Sequence, residues 1–223
     1  VIEGQAARQA ATLWRLGREI HLHVRWRGWQ GTEISVEGPG FSFQGIPVPL
    51  VGEHQAANAA LAVAAGHLLG APPWGIAGTR WPGRLEVVRH SPTVVLDGAH
   101  NPAALAQLGA AIRRLEGARR AVVVFGMMAD KDVAASLAEL KKMRPAKVIF
   151  TAASGSRAAR PHQLAEEWLL AVAADKTPAE IEGDPIVAGR RAVDLAGPEG
   201  LVLVCGSLYL VGELSRPLAG EPR

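Results

Sequence analysis

The stretch from Val94 to Pro102, V-V-L-D-G-A-H-N-P, restricts the fold of this chain more than any other. Val94 to Leu96 are apolar and mostly β-branched, which suits a buried strand. Pro102 lacks an amide hydrogen and has a preset φ, so it fits the first position of a helix, where that hydrogen would go unpaired anyway. A strand that passes within a few residues into a helix begins a crossover unit, and crossover units build parallel sheets. Upstream, Leu85 to Arg89 and Thr93 to Leu96 predict a short hairpin with Ser91-Pro92 in its turn, and Pro82-Gly83 predicts a tight turn that delivers Arg84 to the first strand. Polar residues gather at the strand end. Asp97, His100 and Asn101 stand beside the unpaired amides of the coming helix, where open α/β sheets bind their ligands. With the Arg84 guanidinium they suit an anionic, sugar-bearing ligand. The plainer alternative is that Asp97 and Asn101 only cap the helix.

The remainder of the chain repeats this alternation. Pro102 to Leu115 predicts a helix ended near Gly117, with Arg113, Arg114, Arg119 and Arg120 favouring its C-terminus electrostatically. Ala121 to Phe125, Lys147 to Thr151 and Leu201 to Cys205 read as buried strands, and Leu137 to Lys142, His162 to Val172 and Pro185 to Leu195 as helices. The prediction is a mostly parallel sheet with helices on its faces, whose strand-end loops carry Asp97, His100, Lys131 and Ser207 on one edge. Each has a plain alternative. Lys131, flanked by Asp130 and Asp132, could be a solvated surface charge. Ser207 lacks both outer glycines of a nucleophile elbow, and Cys205 lies within an apolar strand, where a thiol is inert.

Before Arg80 the pattern is different. Val1 to Gly4 reads as the end of a strand and Gln5 to Leu16 as a helix; Glu19 to Trp26, Thr32 to Val36 and Phe41 to Phe43 read as antiparallel strands. Glu53 to Leu69, rich in alanine, predicts a helix packed closely on them. Gln55 and Asn58 are three apart and share a face near its start, where carboxamides can read a purine edge; capping by Glu53 or His54 is the alternative. Gly70 to Pro82, rich in Gly and Pro, reads as a linker, which divides the chain into 1–80 and 81–223. His21 and His23 share a strand face, but no third ligand is near, so no metal site is predicted. Trp14, Trp26 and Trp29 lack interleaved basic clusters and are expected to pack the hairpins rather than stack on nucleic acid.

Composition narrows the classes further. With 48% of its 223 residues apolar, the chain can bury a substantial core. Its net charge of +3, from 24 basic against 21 acidic residues, is too balanced to imply a nucleic-acid or membrane partner. One cysteine forbids an internal disulfide and fits a reducing compartment, so a cytoplasmic location is expected. The longest apolar run, Leu201 to Val211, is too short to span a bilayer.

Four segments in order, G-E-H-Q-A-A-N-A-A-L-A from Gly52, P-G-R-L-E with V-V-L-D-G-A-H-N-P, F-G-M-M-A-D-K-D from Phe125 and V-C-G-S-L-Y from Val204, resemble the signature of the folylpolyglutamate synthase and dihydrofolate synthase branch of the Mur-ligase superfamily. That resemblance implies an α/β fold: the end of a central ATPase domain in 1–80, followed by a Rossmann-like ligase domain in 81–223. It implies an ATP-dependent ligase that adds L-glutamate to folate or dihydropteroate through an acyl phosphate, acting as a monomer with Mg2+. By the same resemblance Gln55, Asn58, Arg84 and Asp97 would hold ATP, His100 and Ser207 would face the incoming glutamate, and His100 and Lys131 would serve catalysis. Members carry a phosphate loop and metal ligands in an upstream part; no Gly-Lys-Ser or Gly-Lys-Thr occurs here. The chain therefore reads as entered in the middle, and residues 1–223 alone are expected to be inactive. A non-catalytic nucleotide-binding module and a Mur-type ligase of peptidoglycan precursors remain as alternatives.

Overall fold

The computed structural model describes residues 1–117, 119–171 and 177–220, and the chain divides into two compact units, Val1–Arg80 and Trp81–Arg223. The first unit opens with helix α1 (Ile2–Arg8), not with the strand end expected there, and the helix expected to reach Leu16 stops after two turns. The reason is tertiary. Trp14 leaves helical geometry to pack beside Phe41 and His67, at ring-centroid distances of 6.1 and 6.5 Å. Its neighbour Arg15 is clamped by Glu19, which accepts from the Arg15 backbone N–H at 2.9 Å and from Nε at 3.0 Å.

Strands β1 (His21–Trp26), β2 (Thr32–Gly38) and β3 (Phe41–Val48) follow in an antiparallel sheet of that order. β3 is longer than Phe41–Phe43 because Ile46 and Val48 also point into the core, and Pro47 is tolerated on this edge strand. Helix α2 (Glu53–Leu68) lays Ala56, Ala59, Ala60, Val63 and Ala64 on Ile34, Val36 and Ile46. Small side chains let the helix approach the sheet closely. Residues Pro73–Gly78, expected as linker, form 3-10 turns and add Ile76 to this cluster.

In the second unit, β4 (Glu86–His90) and β5 (Thr93–Leu96) form the expected hairpin across a cis Ser91-Pro92 bond. β4 starts one residue late because Leu85 takes a left-handed φ of 44°. There follow α3 (Pro102–Glu116), β6 (Val122–Phe125), α4 (Val133–Lys142), β7 (Lys147–Phe150) and α5 (Pro161–Ala171). Val172, expected to close α5, lies outside the described residues. Two elements were not legible in the sequence: the short strand β8 (Ala179–Ile181) and, after α6 (Pro185–Ala196) and β9 (Leu201–Cys205), the terminal helix α7 (Leu208–Leu218). α4 also begins four residues before Leu137, because Asp132 caps it through Oδ1 and the Ala135 N–H at 3.0 Å.

The six-stranded sheet runs β4-β5-β9-β6-β7-β8; β4 is antiparallel and all other neighbours are parallel. Alternate residues face opposite layers. Val94, Leu96, Val122, Val124, Val202 and Val204 pack on α6 and α7 through Ala188, Ala192, Leu210 and Leu214. Residues of the other parity, Phe125 and Phe150, stack edge to face and reach Trp168 of α5, at 6.2 and 6.0 Å. α3 packs on α4 and α4 on α5, so these three share that second layer. Neighbouring strands β5 and β9 thus send their following helices to opposite faces. This is the switch point at which a crevice opens outside the strand ends. Among the described residues no helix is long and apolar enough to cross a membrane.

Candidate functional site

The two loops that flank this crevice are bonded to each other. After β5 the chain passes through Asp97 to His100; after β9 it passes through Gly206 and Ser207. The Gly206 N–H donates to the Ala99 carbonyl at 2.8 Å, and the Gly126 N–H, at the end of β6, donates to the Cys205 carbonyl. So close an approach requires glycine. Gly206 has φ +105°, and a Cβ there would lie 2.5 Å from the Gly126 carbonyl oxygen.

Asp97 is half-buried and its carboxylate ties the hairpin to the loop. Oδ2 accepts the Leu85 N–H at 2.9 Å and Oδ1 accepts the Ala99 N–H at 2.8 Å. The Gly98 N–H donates to the Gly83 carbonyl at 2.8 Å, and Gly83 N–H donates to Glu86 Oε2, which fixes the turn that carries exposed Arg84. Asp97 is therefore not a helix cap. That task belongs to Asn101, whose Oδ1 accepts the Ala104 N–H at 2.9 Å. His100 is exposed, with Nδ1 2.9 Å from the Gly98 carbonyl. A carbonyl only accepts, so Nδ1 carries a proton in this contact.

Ser207 is buried at the start of α7, and its Oγ accepts the Tyr209 N–H at 3.1 Å, so it caps that helix. Its own O–H remains available as a donor. Lys131 lies on the loop after β6 and pairs with its neighbour Asp130 at 3.2 Å, which holds the Asp130 carboxyl below its ordinary range. Burial pushes the Cys205 thiol far up, which removes it as a nucleophile.

All of Asp97, His100, Lys131 and Ser207 sit at the C-terminal edge of the parallel strands, and the β5 and β9 loops bring Asp97, His100 and Ser207 together. Gln55 and Asn58 lie in the first unit. The helix that carries them has Gly52 at its N-cap position, ahead of Glu53 and His54. The two carboxamides differ in setting: Gln55 is buried and Asn58 exposed. The loop after β7 curls against α7, with Arg157 Nη2 donating to the Tyr209 hydroxyl at 3.1 Å and Glu213 accepting from Ser154 N–H and Oγ at 2.7 and 3.2 Å. A run of Ser-Gly-Ser-Arg at a strand end on the functional edge was the available signal. Among the described residues, no group of three or more His, Cys, Asp or Glu could share a metal ion. Exposed cationic and imidazole groups around pinned backbone suit the binding of an anion rather than nucleophilic attack.

Comparison with known proteins agrees with this architecture. The family described as "Mur ligase, glutamate ligase domain" matches residues 83–208. The dihydrofolate synthase/folylpolyglutamate synthase of Escherichia coli is 32% identical over 212 residues, 94% of this chain and 47% of that protein. A folylpolyglutamate synthase structure from Mycobacterium tuberculosis, complexed with ADP and AMPPCP, superimposes over 100% of this chain and 53% of its own, with 29% identity and a TM-score of 0.85. The E. coli FolC structure in complex with DHPP and ADP covers 96% of this chain and 49% of its own, with 29% identity and a TM-score of 0.82. A UDP-N-acetylmuramoyl-L-alanyl-D-glutamate–2,6-diaminopimelate ligase of Synechococcus elongatus also matches, at a greater distance. The chain spans about half the length of these folate-ligase relatives or less. With more than half of its residues matched and the expected sheet in place, the chain belongs to the Mur ligase family through its glutamate ligase domain.

Proposed function

We propose that this chain is part of an ATP-dependent ligase that joins L-glutamate to folate or dihydropteroate. The observation that supports the reading is the bonded pair of loops at the switch point, which carries Asp97, His100 and Ser207. A carboxylate oxygen of the pteroyl substrate attacks the γ-phosphorus of ATP and ADP leaves. The glutamate amine, having lost a proton, then attacks the acyl carbon; an amide forms and inorganic phosphate leaves. Positioning and charge neutralisation supply most of the acceleration in such a sequence.

Arg84, exposed on a fixed turn, would meet phosphate. Asp97 would accept from ribose hydroxyls, and Gln55 and Asn58 would contact the base. His100 would take the proton from the glutamate amine, Ser207 would donate its O–H to the glutamate, and Lys131 would face the transferring phosphoryl group. Mg2+ would neutralise phosphate charge when bound. Among the described residues no group of three or more His, Cys, Asp or Glu would hold it.

The test is ADP release by the full-length protein with ATP and glutamate, given folate, dihydropteroate or a muramoyl peptide. Release only with the muramoyl peptide would replace this reading with the peptidoglycan one, and nucleotide binding without release under any condition would leave a binding module. Gel filtration of the same protein should show a monomer, and a membrane-free cytoplasmic fraction should hold the activity.

A further inference from the structure

Arg84, the group proposed to meet phosphate, is an exposed side chain on a backbone that is held on both sides. Gly83 before it has a φ of 71°, and Leu85 after it has a φ of 44°. Both values lie in the left-handed region, which a leucine occupies only where its surroundings hold it there. Leu85 is held by burial, at 5% exposure, and by Asp97 Oδ2, which accepts its N–H at 2.9 Å. Gly83 is held by two bonds: its carbonyl accepts the Gly98 N–H at 2.8 Å, and its N–H donates to Glu86 Oε2 at 2.8 Å.

Glu86 is the first residue of β4 and pairs with Leu96 across the hairpin, so the sheet fixes its backbone. Its side chain turns back to the Gly83 N–H rather than to the guanidinium. Among the described residues Arg84 forms no ion pair, so its fork stays open to a phosphate. Two carboxylates thus clasp the residues on either side of Arg84 and leave its own side chain uncommitted. An exposed arginine on a loose turn must be ordered when it meets a ligand, and one on a pinned turn loses less freedom. The hairpin itself stands without Glu86, because the Leu85–Asp97 bond and the β4–β5 pairing anchor it.

We propose that Glu86 is a positioning residue, whose carboxylate sets the Gly83 turn so that Arg84 meets the phosphates of ATP already ordered. The inference rests on the proposed ligase reading and adds to its nucleotide site a residue that touches no substrate. The role needs an acceptor at the reach of a glutamate side chain, not a negative charge, because the partner is a neutral backbone N–H. Glutamine supplies that acceptor; aspartate, one methylene shorter, keeps the charge and loses the reach.

The experiment uses the full-length protein with ATP, glutamate and its pteroyl substrate. Glu86→Ala should raise the KM for ATP about fivefold or more, with less than about twofold change in the KM for glutamate. Glu86→Asp should resemble Glu86→Ala, and Glu86→Gln should recover most of the ATP affinity; these two variants keep the test where Glu86→Ala does not fold. The effect should run through Arg84, so in an Arg84→Ala background Glu86→Ala should add less than about twofold. An unchanged ATP KM in Glu86→Ala, recovery by Asp but not by Gln, or full multiplication of the two effects in the double variant would overturn the assignment alone and leave the ligase reading in place. Absence of glutamate-dependent turnover in the unsubstituted protein would overturn the ligase reading and this inference with it.

Discussion

The carboxylate Oδ2 of Asp97 accepts the backbone N–H of Leu85, twelve residues earlier, at 2.9 Å. Its second oxygen holds the Ala99 N–H, so one side chain fastens the start of the hairpin to the loop that follows it. A bond to a charged acceptor is worth about 1.5–3 kcal/mol, and this one is half-exposed. Asp97→Ala should therefore cost about 2 kcal/mol of stability by urea unfolding. Asp97→Asn should cost nearly as much, because an amide can accept only one of the two N–H groups. In the full-length protein the ATP KM should also rise about tenfold; stability lost with an unchanged ATP KM would leave Asp97 a purely structural clasp.

His100 and Ser207 are expected to separate cleanly. Ser207→Ala removes a buried helix cap and should cost about 1 kcal/mol, together with the response to glutamate. His100→Ala removes an exposed ring and should leave the unfolding midpoint in place while weakening the response to glutamate more than that to ATP. Equal loss of both responses in either variant would point to damage at the sheet edge.

The close contact of the two loops sets a further contrast. Gly206→Ala forces an L-residue to φ +105° and drives its Cβ to 2.5 Å from a backbone oxygen, so a loss of about 3 kcal/mol or more is expected. Gly117→Ala, at φ +60° with open space around it, should cost about 1 kcal/mol. Similar unfolding midpoints for the two variants would deny that the β6 and β9 loops touch as described.

Asp130 supplies a pH test. The hydrogen bond from Lys131 lowers its pKa. Because the folded value lies below the unfolded one, the pair contributes above the ordinary carboxylate range and is lost as pH falls through the depressed value. Lys131→Met should move the Asp130 titration, followed by carboxyl NMR shifts, upward towards an ordinary aspartate. An unmoved titration would show that Lys131 is directed elsewhere.

Between Leu85 and Cys205 the strands other than β8 were legible because each is a run of apolar residues bounded by a loop and a cap, a local pattern that no distant contact overrides. The same holds for Asn101, whose place before Pro102 marks a cap in any context. The sequence also placed Asp97, His100, Lys131 and Ser207 on one edge, since parallel strands must all end on the same side. What it left open depended on partners far along the chain. Trp14 ended the first helix because Phe41 and His67 offered it a packing site, and Ile46 and Val48 lengthened β3 because their side chains met α2. β8 spans only Ala179–Ile181 and exists through its pairing with β7, which a three-residue run cannot announce. α7 stayed hidden because its apolar residues read as a continuation of the last strand, whereas Ser207 caps a helix there. Only the fold, by sending α3 and α7 to opposite faces and curling the β7 loop onto α7, decided that Asp97 is a clasp, that Ser207 is buried, and that Arg157 meets Tyr209.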